Sequence, residues 1–335
     1  MHEEVSMEES KKILIVKDLH VHFPVKRGII VKKTVAQVKA VDGVSFDLFD
    51  GETLGLVGES GCGKTTTGRA ILKLIEPTSG QIIYKGEDIA KYTPQQMLPL
   101  RHEMQMVFQD PYASLNPRMC VLDIVTDPLI EHKVITKGQK QSKAIELMEM
   151  VGLDPRYLNR FPHEFSGGQR QRIGIARSLA LNPKVLICDE PIAALDVSIQ
   201  AQVINLFQDL QDKLGLSYLF IAHDLSVVRH ISDRIVVMYL GKIVESARKR
   251  DLFTNPLHPY TKVLLSSVPT PDPANERIRR RIELQGEVPS PLNKPKGCPF
   301  CTRCPNAMQQ CHEEEPATID IGSQHTVSCH LFAQN

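Results

Sequence analysis

Eight consecutive residues, Gly58-Glu59-Ser60-Gly61-Cys62-Gly63-Lys64-Thr65, carry the clearest chemistry in the chain. The spacing G-x-x-x-x-G-K-[ST] suits a loop that curls its backbone N–H groups around phosphate oxygens. Lys64 would reach the β- and γ-phosphates. The hydroxyl of Thr65, followed by Thr66, would ligate Mg²⁺. The bland alternative is a glycine-rich turn with a chance lysine. Further along, Val185-Leu-Ile-Cys-Asp189-Glu190 is an apolar run closed by two acids. At a strand end Asp189 would stand beside Mg²⁺, and Glu190 would polarise a water aimed at the γ-phosphate. Phe165-Ser166-Gly167-Gly168-Gln169 combines an N-cap serine, two glycines and a helix start, which makes a second anion-binding terminus. One chain has no need of two γ-phosphate sites for one nucleotide. A head-to-tail dimer, in which this second loop closes over the partner's nucleotide, is the economical account. Cys62 lies in the phosphate loop at a helix N-terminus, where a thiol pKa is expected to fall.

These residues need strands and helices to hold them. Ile13–Val16, Leu19–Phe23 and Val41–Phe49 read as strands, with the basic stretch 26–39 as a loop or hairpin between them. Glu52–Val57 is a short apolar strand running into the phosphate loop, and a helix from Thr65 to about Ile75 should follow. Strand 81–84 comes next, after the turn residues Pro77 and Gly80. Between 121 and 160 the pattern turns helical, with Ala144, Leu147, Met148 and Val151 at three- and four-residue spacing. Helix 169–181, strand 184–188, helix 198–214, strand 217–222, a helix after Asp224 and strand 234–239 complete an α/β alternation. That order implies a mostly parallel sheet with crossover connections. Val268-Pro-Thr-Pro-Asp-Pro273 reads as a linker, followed by the charged run 276–283 and a proline-rich, core-poor extension.

Composition narrows the classes. The 335 residues are 42% hydrophobic and 24% charged, enough for one large core with an appendage. A net charge of +1 gives no electrostatic case for broad nucleic-acid binding. No run approaches the roughly 18 apolar residues of a membrane span, and residues 1–12 hold no apolar stretch like a signal peptide's. The chain is therefore expected to fold in the cytoplasm and to meet any membrane through a partner. Of eight cysteines, five crowd between Cys298 and Cys329, which in a reducing compartment suggests metal before disulfide.

A phosphate loop, an apolar strand ending in Asp-Glu and an intervening S-G-G-Q together closely resemble the ATP-binding cassette (ABC) family. The resemblance implies a RecA-like P-loop core, an antiparallel β subdomain and a helical signature subdomain at about 112–172. It implies that Gln109, in Met106-Val-Phe-Gln-Asp-Pro111, links Mg²⁺ and the attacking water to a membrane subunit. It implies that Asp196, in Ala194-Leu195-Asp196, belongs to a loop crossing the dimer interface, and that His223, in Phe220-Ile-Ala-His-Asp224, contacts the γ-phosphate and the water. Phe165 replaces the usual Leu before S-G-G-Q, and Ala193 a frequent Ser. The adenine-stacking position falls near Val35, an aliphatic. Phe23 is the nearest upstream aromatic, with a core role equally open to it.

Three further stretches look like the ATPases of bacterial oligopeptide and dipeptide importers, near the second ("F") member of the pair. They are Gln109-Asp-Pro-Tyr-Ala-Ser-Leu-Asn-Pro117, Asn255-Pro-Leu-His-Pro-Tyr260 and the cysteine cluster. The likeness implies a nucleotide-binding domain over 12–265 and a C-terminal extension over 266–335. It implies a second, related ATPase as heterodimer partner, two permease subunits, an extracellular solute-binding protein and a peripheral place at the cytoplasmic face of the membrane. Nickel chelates and oligosaccharides are alternative cargoes. An ATPase acting on ribosomes or DNA is the remote alternative, which the lack of a coiled-coil insertion between Lys64 and Ser166 disfavours. Cys298-Pro-Phe-Cys301-Thr-Arg-Cys304-Pro305 copies a ferredoxin-like C-x₂-C-x₂-C run. The family pattern instead selects Cys298, Cys304, Cys311 and Cys329 for a [4Fe–4S] cluster, with Cys301 as the extra thiol and Zn²⁺ as the other metal that suits four thiolates. His312, His325 and His330 lie close enough in sequence to compete.

Overall fold

The computed structural model describes residues 12–27, 33–268 and 286–333. The expected linker from 269 onward, the charged run 276–283 and residues 28–32 lie outside the described residues. The chain divides into two compact units. One holds residues up to Phe49, Thr53–Lys91 and the chain from Ala222 onward. The other holds Asp50–Glu52 and Tyr92–Ile221.

The first unit contains an antiparallel sheet in the order β2-β1-β4-β5. Strands β1 (Lys12–Arg27) and β2 (Lys33–Phe49) form a long hairpin, and β4 (Ser79–Tyr84) carries β5 (Glu87–Asp88). The two short strands expected over 13–23 are one strand. Its register slips between Val16 and Leu19, where Asp18 takes φ 48°. That bulge breaks the alternation and hides the continuity. Leu14, Val16 and Leu19 of β1 and Val41, Val44 and Leu48 of β2 are buried. The same unit holds β3 (Thr53–Val57), parallel to β9 (Arg234–Tyr239). An antiparallel series then runs from β9 through β10 (Lys242–Arg248) and β12 (Thr326–Ser328) to β11 (Thr318–Asp320). The extension therefore adds strands to a sheet edge. Its core-poor sequence is held by that pairing and by Phe300 and Val327, both fully buried.

Helix α1 (Lys64–Ile71) follows the phosphate loop. Gly55 lets the backbone of β3 meet a neighbouring helix, because a Cβ there would lie 2.1 Å from Val228 and 2.6 Å from Ser232.

The second unit carries three parallel strands, β6 (Met104–Val107), β7 (Val185–Asp189) and β8 (Ser217–Ala222). Strands β7 and β8 are buried along their whole length, as apolar runs in parallel sheets are. Its helices are α2 (Pro94–Glu103), α3 (Val121–Glu131), α4 (Lys140–Met150), α5 (Gly167–Leu179) and α6 (Val197–Leu214). Ala144, Leu147, Met148 and Val151 are buried, as their spacing predicts. The chain beyond β8 adds α7 (Leu225–Ile231), α8 (Lys249–Thr254), α9 (Pro259–Ser266) and, in the extension, α10 (Gln309–Glu313), all in the first unit. Among the described residues no helix is long and apolar enough to cross a membrane.

Candidate functional site

The phosphate loop is built as a cradle. Gly58 and Gly63 sit where a side chain could not. A Cβ on Gly58 would lie 2.1 Å from the Met238 carbonyl oxygen, and one on Gly63 would lie 2.2 Å from that of Ala40. Gly61 and Gly63 also take left-handed φ values of 78° and 110°, which a side chain would strain. Lys64 is buried at the start of α1. Its Nζ donates to the carbonyls of Gly58 at 2.7 Å and Glu59 at 3.0 Å, so the loop closes around its own lysine. The Gly241 N–H donates to the Cys62 carbonyl at 2.8 Å, tying the loop to the β9–β10 turn.

The side chain of Glu59 is held by Arg303 of the extension. One guanidinium nitrogen stands 2.8 and 3.2 Å from the two carboxylate oxygens and 3.3 Å from the Tyr239 hydroxyl. The Glu59 N–H donates to the Tyr260 hydroxyl at 2.9 Å. Motif spacing gave no signal for either contact, since the partners lie some 200 positions or more downstream. Cys62 is 3% exposed, and burial pushes its thiol up rather than down. The helix-terminus argument fails there because desolvation of the thiolate outweighs the nearby Lys64 charge. Phe23 is 40% exposed and Val35 57% exposed, so a core role for Phe23 is overturned.

In the second unit β7 delivers Asp189 fully buried at its end, and Glu190 follows at φ 44°. A side chain held at positive φ is strained by a cost on the order of 1–3 kcal/mol, which functional sites often store. The Gln109 amide donates to a Glu190 carboxylate oxygen at 3.0 Å, and the Glu190 N–H donates to the Ile221 carbonyl at 3.0 Å. Ser166 caps α5. Its hydroxyl accepts from the Gln169 N–H at 3.3 Å, and its own N–H donates to the Gln169 side chain at 3.0 Å. Gly168 cannot bear a Cβ, which would lie 2.4 Å from Ile199 of α6. Asp196 caps α6, accepting from the Ile199 N–H at 3.1 Å and the Ser198 hydroxyl at 2.7 Å. The Ser198 hydrogen bond and the backbone N–H hold its carboxyl below the usual range. His223 lies in the first unit, directly before Asp224, the N-cap of α7.

The five clustered cysteines are all free thiols, four of them buried and Cys304 half-buried. Burial raises Cys298 to about 12, and the neighbouring Cys311, Cys301 and Cys329 push in the same direction. Cys304 feels Cys311 and Cys301, and Cys329 feels Cys304 and Cys311. All five therefore share one neighbourhood, Cys301 included. His325 is engaged elsewhere, 2.8 Å from the buried Glu245 carboxylate, and His330 contacts the Glu314 carbonyl at 3.0 Å. A second polar cluster, unforeseen from sequence, joins His20, His22 and Asp42, with ligand atoms within 4.8 Å of one another. Lys294 and Lys39 already stand against the Asp42 carboxylate, at 3.4 and 3.8 Å.

A strand–loop–helix phosphate cradle, a buried strand ending in Asp-Glu and an S-G-G-Q helix start define a P-loop ATPase of the ATP-binding cassette class. The ABC transporter family profile matches residues 41–193. The profile of the oligopeptide/dipeptide transporter C-terminal region matches residues 244–311. The oligopeptide transport ATP-binding protein AppF of Bacillus subtilis is 55% identical, over 96% of this chain and 98% of its own. OppF of Salmonella typhimurium, an oligopeptide transport ATP-binding protein, is 51% identical over 96% and 97%. The dipeptide transport ATP-binding protein DppF of Escherichia coli is 50% identical over 95% and 94%. Among solved structures, the dimeric post-hydrolysis state of the cassette MJ0796 with ADP and Pi superposes with a TM-score of 0.63. It is 27% identical and covers 71% of this chain and 99% of that one. The chain belongs to the ABC ATPases of oligopeptide/dipeptide transporters, and its ATP hydrolysis is coupled to transport.

Proposed function

We propose that this chain is one of two non-identical ATPases at the cytoplasmic face of a peptide importer, held there by two permeases and fed by an extracellular solute-binding protein. The observation that carries this reading is the joining of an ABC cassette to a peptide-transporter C-terminal region in one chain. Gly58–Gly63 and Lys64 bind the ATP phosphates, with Thr65 and Thr66 at the start of α1. Ser166, Gly167, Gly168 and Gln169, with Asp196, serve the partner's nucleotide. Glu190 takes the proton of the attacking water, Gln109 orients its carboxylate, and His223 contacts the γ-phosphate. The family resemblance assigns Thr65, Gln109 and Asp189 to Mg²⁺, and each carries the kind of oxygen donor that ion takes. When bound, Mg²⁺ offsets charge developing on the phosphate oxygens. Loss of the γ-phosphate removes the charge that bridges the dimer, and the dimer reopens. The functional division runs between residues 12–265 and 266–335.

The test is reconstitution with the permeases and binding protein in liposomes. Uptake of labelled oligopeptide or dipeptide should require ATP and fail in Lys64→Ala. Uptake of a nickel chelate or an oligosaccharide in place of peptide would overturn the cargo. Co-purification with ribosomes instead of permeases would overturn the transport role.

The thiols are free, they influence one another electrostatically, and Cys298, Cys311 and Cys329 are buried with Cys304 half-buried, which supports reading them as a sulfur metal site. We assign Cys298, Cys304, Cys311 and Cys329 as ligands of a [4Fe–4S] cluster that staples the extension, as metals do in core-poor domains. Protein purified without oxygen should be brown with about four irons, the stoichiometry of such a cluster. Cys301→Ser should keep the colour and Cys304→Ser lose it. A colourless chain with one zinc would replace the cluster by Zn²⁺.

A further inference from the structure

We propose that Arg303 is a positioning residue for ATP binding. It clamps Glu59 and neutralises that carboxylate beside the arriving phosphates. The proposal rests on the reading of Gly58–Thr65 as the ATP phosphate loop. Glu59 is the one acidic residue in that loop. An unpaired carboxylate there would repel a polyanion and would be free to swing the loop. Arg303 answers both problems. Its side chain is 9% exposed, against 26% for Glu59, so the pair is poorly screened. The arginine is itself fixed in a turn, with its N–H donating to the Phe300 carbonyl at 3.0 Å and the Cys301 N–H donating to Cys298 at 3.1 Å.

The turn is seated by Phe300, fully buried, whose ring lies 5.3 Å from those of both Tyr239 and Tyr260. Tyr239 and Tyr260 then reach the same end points. The Tyr239 hydroxyl stands against Arg303, and the Tyr260 hydroxyl accepts from the Glu59 N–H. The backbone of Glu59 is thus held by α9 and its charge by the extension. Restraining the loop before ATP arrives lowers the ordering cost of binding.

The test measures ATP affinity of the full chain by titration calorimetry. Arg303→Ala should weaken binding about tenfold, within the usual range of coupling between sites. Arg303→Lys should recover part of the loss by restoring charge. Adding Glu59→Gln to Arg303→Ala should bring affinity back toward wild type, because the unpaired charge is gone. In the assembled transporter, the rise in KM for ATP should exceed any fall in kcat. Affinity of Arg303→Ala within twofold of wild type would overturn the clamp. So would failure of Glu59→Gln to rescue, since a merely unseated extension would lower affinity whatever the charge of residue 59. Lys64→Ala measured alongside separates the two readings. If it too binds ATP normally, the phosphate-loop assignment is at fault and not the clamp.

Discussion

Glu190 is held twice over, by a backbone hydrogen bond to β8 and by the amide of Gln109. A general base needs that restraint, because its oxygen must meet a water rather than rotate away. Glu190→Gln keeps the shape and removes the proposed proton acceptor. Phosphate release by the assembled transporter should fall by orders of magnitude while ATP binding persists. Turnover at the wild-type rate would show that another group takes the proton. The glycines and the lysine of the phosphate loop were legible from spacing, because phosphate cradles demand them at set intervals. Charge balance was not legible. Nothing near Glu59 in sequence announces Arg303, and nothing near Cys62 announces that burial will raise its thiol.

At the scale of elements, many strand and helix positions followed from apolar periodicity, while β6, β10 and α8 were not anticipated. Other misses left little apolar pattern to read. Helix α2 has one buried side chain, Met97, so no stripe marks it. Its signature is the cap, in which the Thr93 hydroxyl accepts from the Gln96 N–H and the Gln96 side chain returns to the Thr93 N–H. Strands β11 and β12 are three residues each, too short to show alternation. Helix α9 has a more consequential cap. The Nδ1 of His258 accepts from the Tyr260 N–H at 3.0 Å, which requires an unprotonated ring nitrogen. Burial lowers this histidine to about 3, against about 6.5 in an unfolded chain. Its contribution to stability is therefore complete above pH ~6.5 and is lost as pH falls toward 3, at up to about 1.4 kcal/mol per pH unit. Melting temperatures measured from pH 7 to pH 5 should decline. His258→Asn retains a capping acceptor that does not titrate, and its decline should be shallower. Equal slopes would remove His258 from the account.

For the whole molecule, the sheet class and the order of elements were readable. The grouping of the extension with the phosphate-loop unit was not, because strand addition at β10 uses backbone groups that every sequence possesses. The S-G-G-Q helix start belongs to the other unit, and Ser166 spends its side chain on capping α5. Ser166→Arg should leave ATP binding to the isolated chain intact and abolish ATPase in the assembled transporter. Wild-type hydrolysis in that complex would refute a site shared between subunits. The division of the chain also has a consequence for biosynthesis. Residues 92–221 are continuous and leave the ribosome as one stretch. The phosphate loop cannot be finished then, for β3 pairs with β9 and Glu59 lies 244 positions before Arg303. At ordinary translation speeds the chain from Ala222 to Arg303 takes on the order of ten seconds to make. Strand β9 is made early in that interval, but until Arg303 follows the nascent chain carries a phosphate loop without its clamp. A growing polypeptide should therefore remain a poor competitor for cellular ATP until Arg303 has been made and the extension has docked.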